Sequence, residues 1–149
     1  TVEAPPSVAI IAVTSDGDIV LIEEWRQPLG RISRGIPAGT VEPGESDAIA
    51  AGARELREET GHTADSWEEL FTVDPANGLL DSPTTYLLAM GAERTATPDL
   101  DVDESIRTTV MPPQTVWADL RRGEIRDLRC RVALTHLIAT GHAVTAGLR

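Results

Sequence analysis

Two short β-branched runs, Val8 to Val13 and Ile19 to Glu24, are separated by Ser15-Asp16-Gly17-Asp18. Strand-forming residues on either side of an Asp-Gly turn predict a hairpin. Further strand-like stretches follow at Trp67 to Val73, Thr84 to Met90 and Ser105 to Val110, and helical spacing predicts helices over Gln114 to Arg121 and Arg129 to Ala139. Pro112 and Pro113 suit entry to the first of these helices. Strands interrupted by helices imply an α+β fold, with helices on both sides of a mixed sheet.

The segment between Gly39 and Gly61 has a different pattern. Glu55, Glu58 and Glu59 fall three and four residues apart and share one face of a helix, with Ile49, Ala53 and Leu56 expected on the opposite, core-facing side. Pro37-Ala38-Gly39 and Glu42-Pro43-Gly44-Glu45 form a turn-rich approach, and Gly61 stands where a helix ends.

Two carboxylates ~4 Å apart repel by roughly 1 kcal/mol in water and about 4 kcal/mol at intermediate dielectric, so this crowding calls for cations. Arg54 and Arg57 supply part of that charge, and a solvated helix with internal ion pairs would account for them. Carboxylates are also the hard ligands that Mg²⁺ prefers, and Mg²⁺ keeps positions for water and substrate phosphates. This second reading leads to phosphate chemistry.

Residues 39 to 62 resemble the signature of the Nudix hydrolases, which cleave nucleoside diphosphates linked to another moiety. Gly39, Glu45, Arg54, Glu55, Leu56, Glu58, Glu59 and Gly61 follow the family pattern in order. Eight residues separate Glu45 from Arg54, one more than the pattern, and His62 stands where an aliphatic residue is usual. The Ser46 to Asp47 region, ahead of the helix, is expected to absorb the extra residue; a bulge within the helix is the alternative. The resemblance implies a Nudix-type α/β/α sandwich with a mixed β-sheet. It also implies metal ligation by Glu55, Glu59 and the backbone carbonyl of Ala38, with Glu58 in or beside that shell and Glu45 and Arg54 orienting the ligands.

Trp25-Arg26-Gln27-Pro28 and Ile36-Pro37-Ala38-Gly39 are similar to the ADP-ribose pyrophosphatase branch, although Gly35 replaces the branch's usual glutamate. The acidic stretch Asp99, Asp101, Asp103, Glu104 resembles a loop from which that branch draws a further metal ligand or a base. Glu104 sits nearest the matching position, and Val102 replaces a second glutamate. Glu104, Asp103, Asp101 and Glu58 all remain candidates for the base. Arg26 and Arg31 are candidate phosphate or ribose contacts, since a guanidinium can donate two parallel hydrogen bonds to such oxygens. Trp25 is the candidate stacking surface for a base. Asp74-Pro75-Ala76-Asn77-Gly78 reads as a loop that lines a substrate pocket or simply connects strands.

The 149 residues suit one domain, 1–149, and 41% hydrophobic content with only 3% aromatic residues predicts an aliphatic core. A formal charge of −11 argues against a nucleic-acid surface, which would carry a basic stripe. Divalent cations in an acidic cleft would reverse the local sign where phosphates sit. The lone Cys130 reads as a small buried hydrophobe in a reducing compartment, and the three histidines lack zinc-site spacing. With no membrane-length apolar run and no leader pattern, the expectation is a cytoplasmic protein without a membrane partner. The resemblance adds a homodimer paired through N-terminal strands.

The sequence therefore leads to Mg²⁺-dependent hydrolysis, with Mn²⁺ as an alternative, of ADP-ribose or another nucleoside diphosphate-linked small molecule. A nucleoside triphosphate pyrophosphohydrolase and a non-catalytic nucleotide sensor on the same fold are the competing readings.

Overall fold

The structure, a computed structural model, describes residues 2–45 and 47–145. It begins with β1 (Val2–Glu3), β2 (Ser7–Thr14) and β3 (Ile19–Arg26), then passes through a 3-10 turn at Gln27–Leu29 into β4 (Arg31–Gly35) and β5 (Ala38–Thr40). Helix α1 (Ala48–Thr60) is followed by β6 (His62–Thr63), β7 (Ser66–Val73), β8 (Leu80–Asp81) and β9 (Thr84–Arg94). Strand β10 (Ile106–Met111) and helices α2 (Pro113–Arg121) and α3 (Leu128–Ala139) follow, and a 3-10 turn at Ala143–Thr145 comes last among the described residues.

The predicted strands and helices all form, each within a few residues of its expected bounds. Among the described residues, β10-β3-β2-β9-β6 make the main path of a sheet, with β4 beside β3, β5 beside β2 and β7 beside β9. The β2–β9 pair is parallel and its neighbours are antiparallel, which makes the sheet mixed. Ser15 to Asp18 close the β2–β3 hairpin, where Thr14 N–H donates to the Asp18 carbonyl at 2.8 Å.

Successive strand residues point to opposite faces, and β2 separates two cores in this way. Ala9, Ile11 and Val13 pack with Leu88, Trp117, Leu134 and Leu137 toward α2 and α3. Val8, Ile10 and Ala12 pack with Ala51, Leu56 and Leu87 toward α1. Helices thus cover both faces of the sheet, as the α/β/α expectation required.

Asp47 caps α1 by accepting the Ala50 N–H at 2.7 Å, which satisfies one of the amides left free at a helix start. At the other end Gly61 takes φ +73° and donates to the Arg57 carbonyl at 2.8 Å. Only glycine adopts that left-handed conformation without steric cost. The helix runs unbroken from cap to cap, so the extra residue falls before it. Ser46, one of the two positions expected to absorb it, lies outside the described residues.

The expected apolar stripe on α1 needs correction. Leu56 is buried, but Ala53 lines an open hollow with Arg54, Arg57 and Glu58, while Glu55 and Glu59 are buried beside Leu56. Leu56 and Glu59 are three residues apart and therefore share a side. The acidic face adjoins the core rather than opposing it.

Candidate active site

The buried acidic face of α1 meets β5. The backbone N–H of Ala38 donates to Glu59 Oε2 at 3.2 Å, and the Glu55 carboxyl lies directly against the α-carbon of Gly39. A side chain at position 39 would occupy the place of that carboxyl, so glycine permits the close approach. Glu55 and Glu59 are 8% and 5% exposed, low values for glutamates.

Arg54 gathers the remaining carboxylates. Its Nε and one terminal nitrogen donate to the two oxygens of Glu45 at 3.1 and 3.0 Å, and its other terminal nitrogen reaches Glu55 at 2.9 Å and Glu58 at 3.0 Å. It also donates to the Thr40 carbonyl at 2.8 Å. Such a forked pair fixes direction as well as charge. Arg54 holds the Glu45 carboxyl below its usual range.

The loop after β9 is tied to the same helix. The Asp99 N–H donates to the Glu58 carbonyl at 2.8 Å, and the N–H groups of Thr95 and Ala96 donate to the Gly61 carbonyl at 2.9 and 3.1 Å. Glu104 accepts the Asp101 N–H at 2.9 Å. From there its charge reaches Glu55, Glu59 and Glu24.

Burial pushes the Glu55 carboxyl up to about 7, against the opposing pull of Arg54. Burial, with the neighbouring Glu55 charge added, pushes Glu59 up to about 8. Both values follow from removing a charged form from water and placing like charges beside it. Perturbed carboxyls of this kind cluster at functional sites.

The donor set is made of hard carboxylate oxygens, which suits a divalent cation. Among the described residues these groups do not converge as a finished ligand cage. Glu55 is turned to Arg54, Glu59 to Ala38 and Glu104 to Asp101. Holding Glu55 and Glu59 ionised at neutral pH takes more positive charge than Arg54 supplies, and a cation fits that need.

Trp25 and Arg26 part company. Adjacent strand residues point to opposite faces, and Trp25 lines a hollow of about 560 Å³ with Glu23, Ile32 and Arg107. Its indole N–H donates to Gln27 Oε1 at 2.9 Å. Arg26 pairs with Glu24 at 2.9 Å and shares a different pocket with Arg31. Pro75, from the loop after β7, lines a pocket with Tyr86 and Arg129.

The sequence reading missed Glu24. Burial raises its carboxyl pKa, Arg26 opposes this, and Glu104 adds to it. It lies at the end of β3, where no motif marks it and only the fold brings it to Glu59 and Glu104. Gly35 has a visible structural counterpart as well. A β-carbon there would come within 3.2 Å of the Asp127 carboxyl, so Asp127 occupies the space a side chain at 35 would enter.

Comparison with known proteins gives a consistent picture. The family model described as NUDIX domain matches residues 3–130. The methanol dehydrogenase activator of Bacillus methanolicus is 31% identical over 137 residues, covering 91% of this chain and 74% of that protein. The ADP-ribose pyrophosphatase of Mycobacterium tuberculosis is 33% identical over 142 residues, covering 95% of this chain and 67% of its own length. A crystal structure of an ADP compounds hydrolase superposes with a TM-score of 0.80 at 22% identity, over 95% of this chain and 75% of that one, which shows a shared fold.

Proposed function

The chain belongs to the NUDIX domain family, and on that premise we propose that it hydrolyses the diphosphate bond of ADP-ribose or a related nucleoside diphosphate derivative. The observation that carries this reading is the pair of buried carboxyls, Glu55 and Glu59, packed against Gly39 and Ala38 and braced by Arg54. Its similarity to an ADP-ribose pyrophosphatase supplies the substrate class.

Glu55, Glu59 and the Ala38 carbonyl would hold Mg²⁺, with Glu58 and Glu104 beside them, and Mn²⁺ has the same oxygen preference. When bound, such a cation neutralises phosphate charge and lowers the pKa of water. Arg54 and Glu45 position Glu55 and Glu58 through the hydrogen bonds described above. Glu104 is one candidate for the proton acceptor, on the loop that the Asp99 N–H ties to the Glu58 carbonyl of α1. Glu58, Asp101 and Asp103 are the remaining candidates.

Trp25 provides an exposed aromatic face for a base, while Arg26 and Arg31 provide phosphate or ribose contacts on the other side of the strand. A single domain over 1–149, a homodimer and a cytoplasmic location complete the proposal, the last supported by the lone buried Cys130. No described helix is long and apolar enough to cross a membrane.

The test is a substrate panel of ADP-ribose, nucleotide sugars, dinucleoside polyphosphates and nucleoside triphosphates, assayed with Mg²⁺, with Mn²⁺ and with chelator. Chelator-sensitive turnover led by ADP-ribose or a nucleotide sugar supports the reading. Preference for triphosphates would replace the substrate class, and nucleotide binding without turnover of any member would make the protein a sensor.

A further inference from the structure

Four arginines converge on one pocket of about 340 Å³: Arg26 and Arg31 from β3 and β4, and Arg126 and Arg129 from either side of the α3 start. That volume is within the range of small-ligand pockets. Arg26 pairs with Glu24, but among the described residues Arg31, Arg126 and Arg129 form no ion pair with a carboxylate. Among the described residues Asp127 is the one acidic residue lining the pocket, and its Oδ2 is engaged by the Cys130 N–H at 2.9 Å.

This convergence runs against the electrostatics of the rest of the chain. The protein carries a formal charge of −11, so carboxylates outnumber the partners available to them. Arg126 and Arg129 instead flank the N-terminus of α3, where the helix dipole is already positive and cations are disfavoured. An anion accounts for both features, since arginine forks and a helix N-terminus are each suited to phosphate oxygens.

The pocket also adjoins the acidic cleft. Glu24 bridges them, because it pairs with Arg26 on one side and its charge reaches Glu59 on the other. Diphosphate charge is offset by cations held at the cleft in the function proposed above. Arg26 and Arg31 serve the phosphates or ribose of the substrate in that proposal, which leaves Arg126 and Arg129 of the same pocket as the surplus charge.

Resting on that diphosphate-hydrolase reading, we propose that the pocket formed by Arg26, Arg31, Arg126 and Arg129 is a second anion subsite. It takes a phosphomonoester that the substrate carries beyond its scissile diphosphate. The preferred substrate is accordingly a nucleoside diphosphate derivative with one more phosphate than ADP-ribose.

The experiment compares ADP-ribose, ADP-ribose 2′-phosphate and ADP-ribose 1″-phosphate on wild-type protein and on Arg126→Gln and Arg129→Gln. Both kcat/KM and Kd are measured, with the two phosphorylated compounds reporting which half of the substrate enters the pocket. The expected result is a preference of roughly tenfold or more for one phosphorylated compound over ADP-ribose, largely lost in each variant. The thermal midpoint of Arg126→Gln should equal or exceed that of wild type, because it removes a cation beside a helix N-terminus. Arg31→Gln, on a different element, gives an independent variant if either of these fails to fold.

Equal kcat/KM for the three compounds, or a preference that survives the substitutions, would overturn the subsite while leaving the hydrolase reading intact. If none of the three is hydrolysed, ADP-ribose is removed as the substrate class of the proposed function, and the Kd ratios still decide the subsite. Tighter binding of a phosphorylated compound that depends on Arg126 or Arg129 supports it; equal binding overturns it.

Discussion

Arg54 grips Glu45 with two nitrogens on two oxygens, at 3.1 and 3.0 Å, across the stretch that is one residue longer than the family pattern. The longer connection has not broken the brace between the approach loop and α1. Since the same guanidinium also holds Glu55 and Glu58, loosening one end should disturb the whole acidic face.

Glu45→Gln keeps the shape of the side chain but removes the charge that pairs with Arg54. Outer partners of metal-ligating groups typically contribute about 10–100-fold to metal affinity or activity. Steady-state kinetics across a Mg²⁺ titration should show a loss in that range, with a smaller loss for Glu45→Gln than for Arg54→Ala, which releases three glutamates at once. Equal activity of both variants and wild type would mean that the brace has no part in the chemistry.

Gly39→Ala is a small change with a large expected effect. The added methyl would take the place of the Glu55 carboxyl, which must then swing away from the cleft. Activity should fall by roughly tenfold or more, and the cation concentration for half-maximal rate should rise. A variant with wild-type cation dependence would show that Glu55 is not held where the structure places it.

The stability of the cation-free protein should depend on pH in a direction set by Glu55 and Glu59. Their folded-state pKa values, about 7 and about 8, lie above the ordinary value of 4.5, so the folded state binds more protons across that interval. The stabilisation from these groups is complete below pH 4.5 and is lost as pH rises through 7 and 8. Thermal melts in chelator should therefore decline from pH 5 to pH 8.5, and Glu59→Gln should flatten the decline. A divalent cation added at the upper pH should raise the wild-type midpoint more than that of Glu59→Gln.

Much of this arrangement is legible from local pattern. The β2–β3 hairpin follows from Asp-Gly between two β-branched runs, and α1 is bounded by Gly61 as the spacing requires. Glu55, Glu58 and Glu59 are within one helical turn of each other, so their clustering needs only helix geometry. What the pattern concealed depends on contacts distant in sequence. Glu24 becomes part of the acidic cleft only when β3 is laid beside β10 and the Glu104 loop is tied to α1. Arg126 and Arg129 join Arg26 and Arg31 only because α3 starts against β4. Strand β4 escaped notice because Arg31-Ile32-Ser33-Arg34-Gly35 has one apolar side chain, and its place is set by pairing with β3 and by the 2.7 Å bridge from Arg34 to Asp119.

The most direct measurement is the turnover of ADP-ribose by wild type and Glu59→Gln side by side, at saturating Mg²⁺, with products separated by chromatography. The wild type should yield AMP and ribose 5-phosphate, with a loss of roughly 100-fold in the variant and no wild-type turnover in chelator. Equal turnover by the two proteins, or wild-type turnover that persists in chelator, would contradict a cation-dependent site built on Glu55 and Glu59.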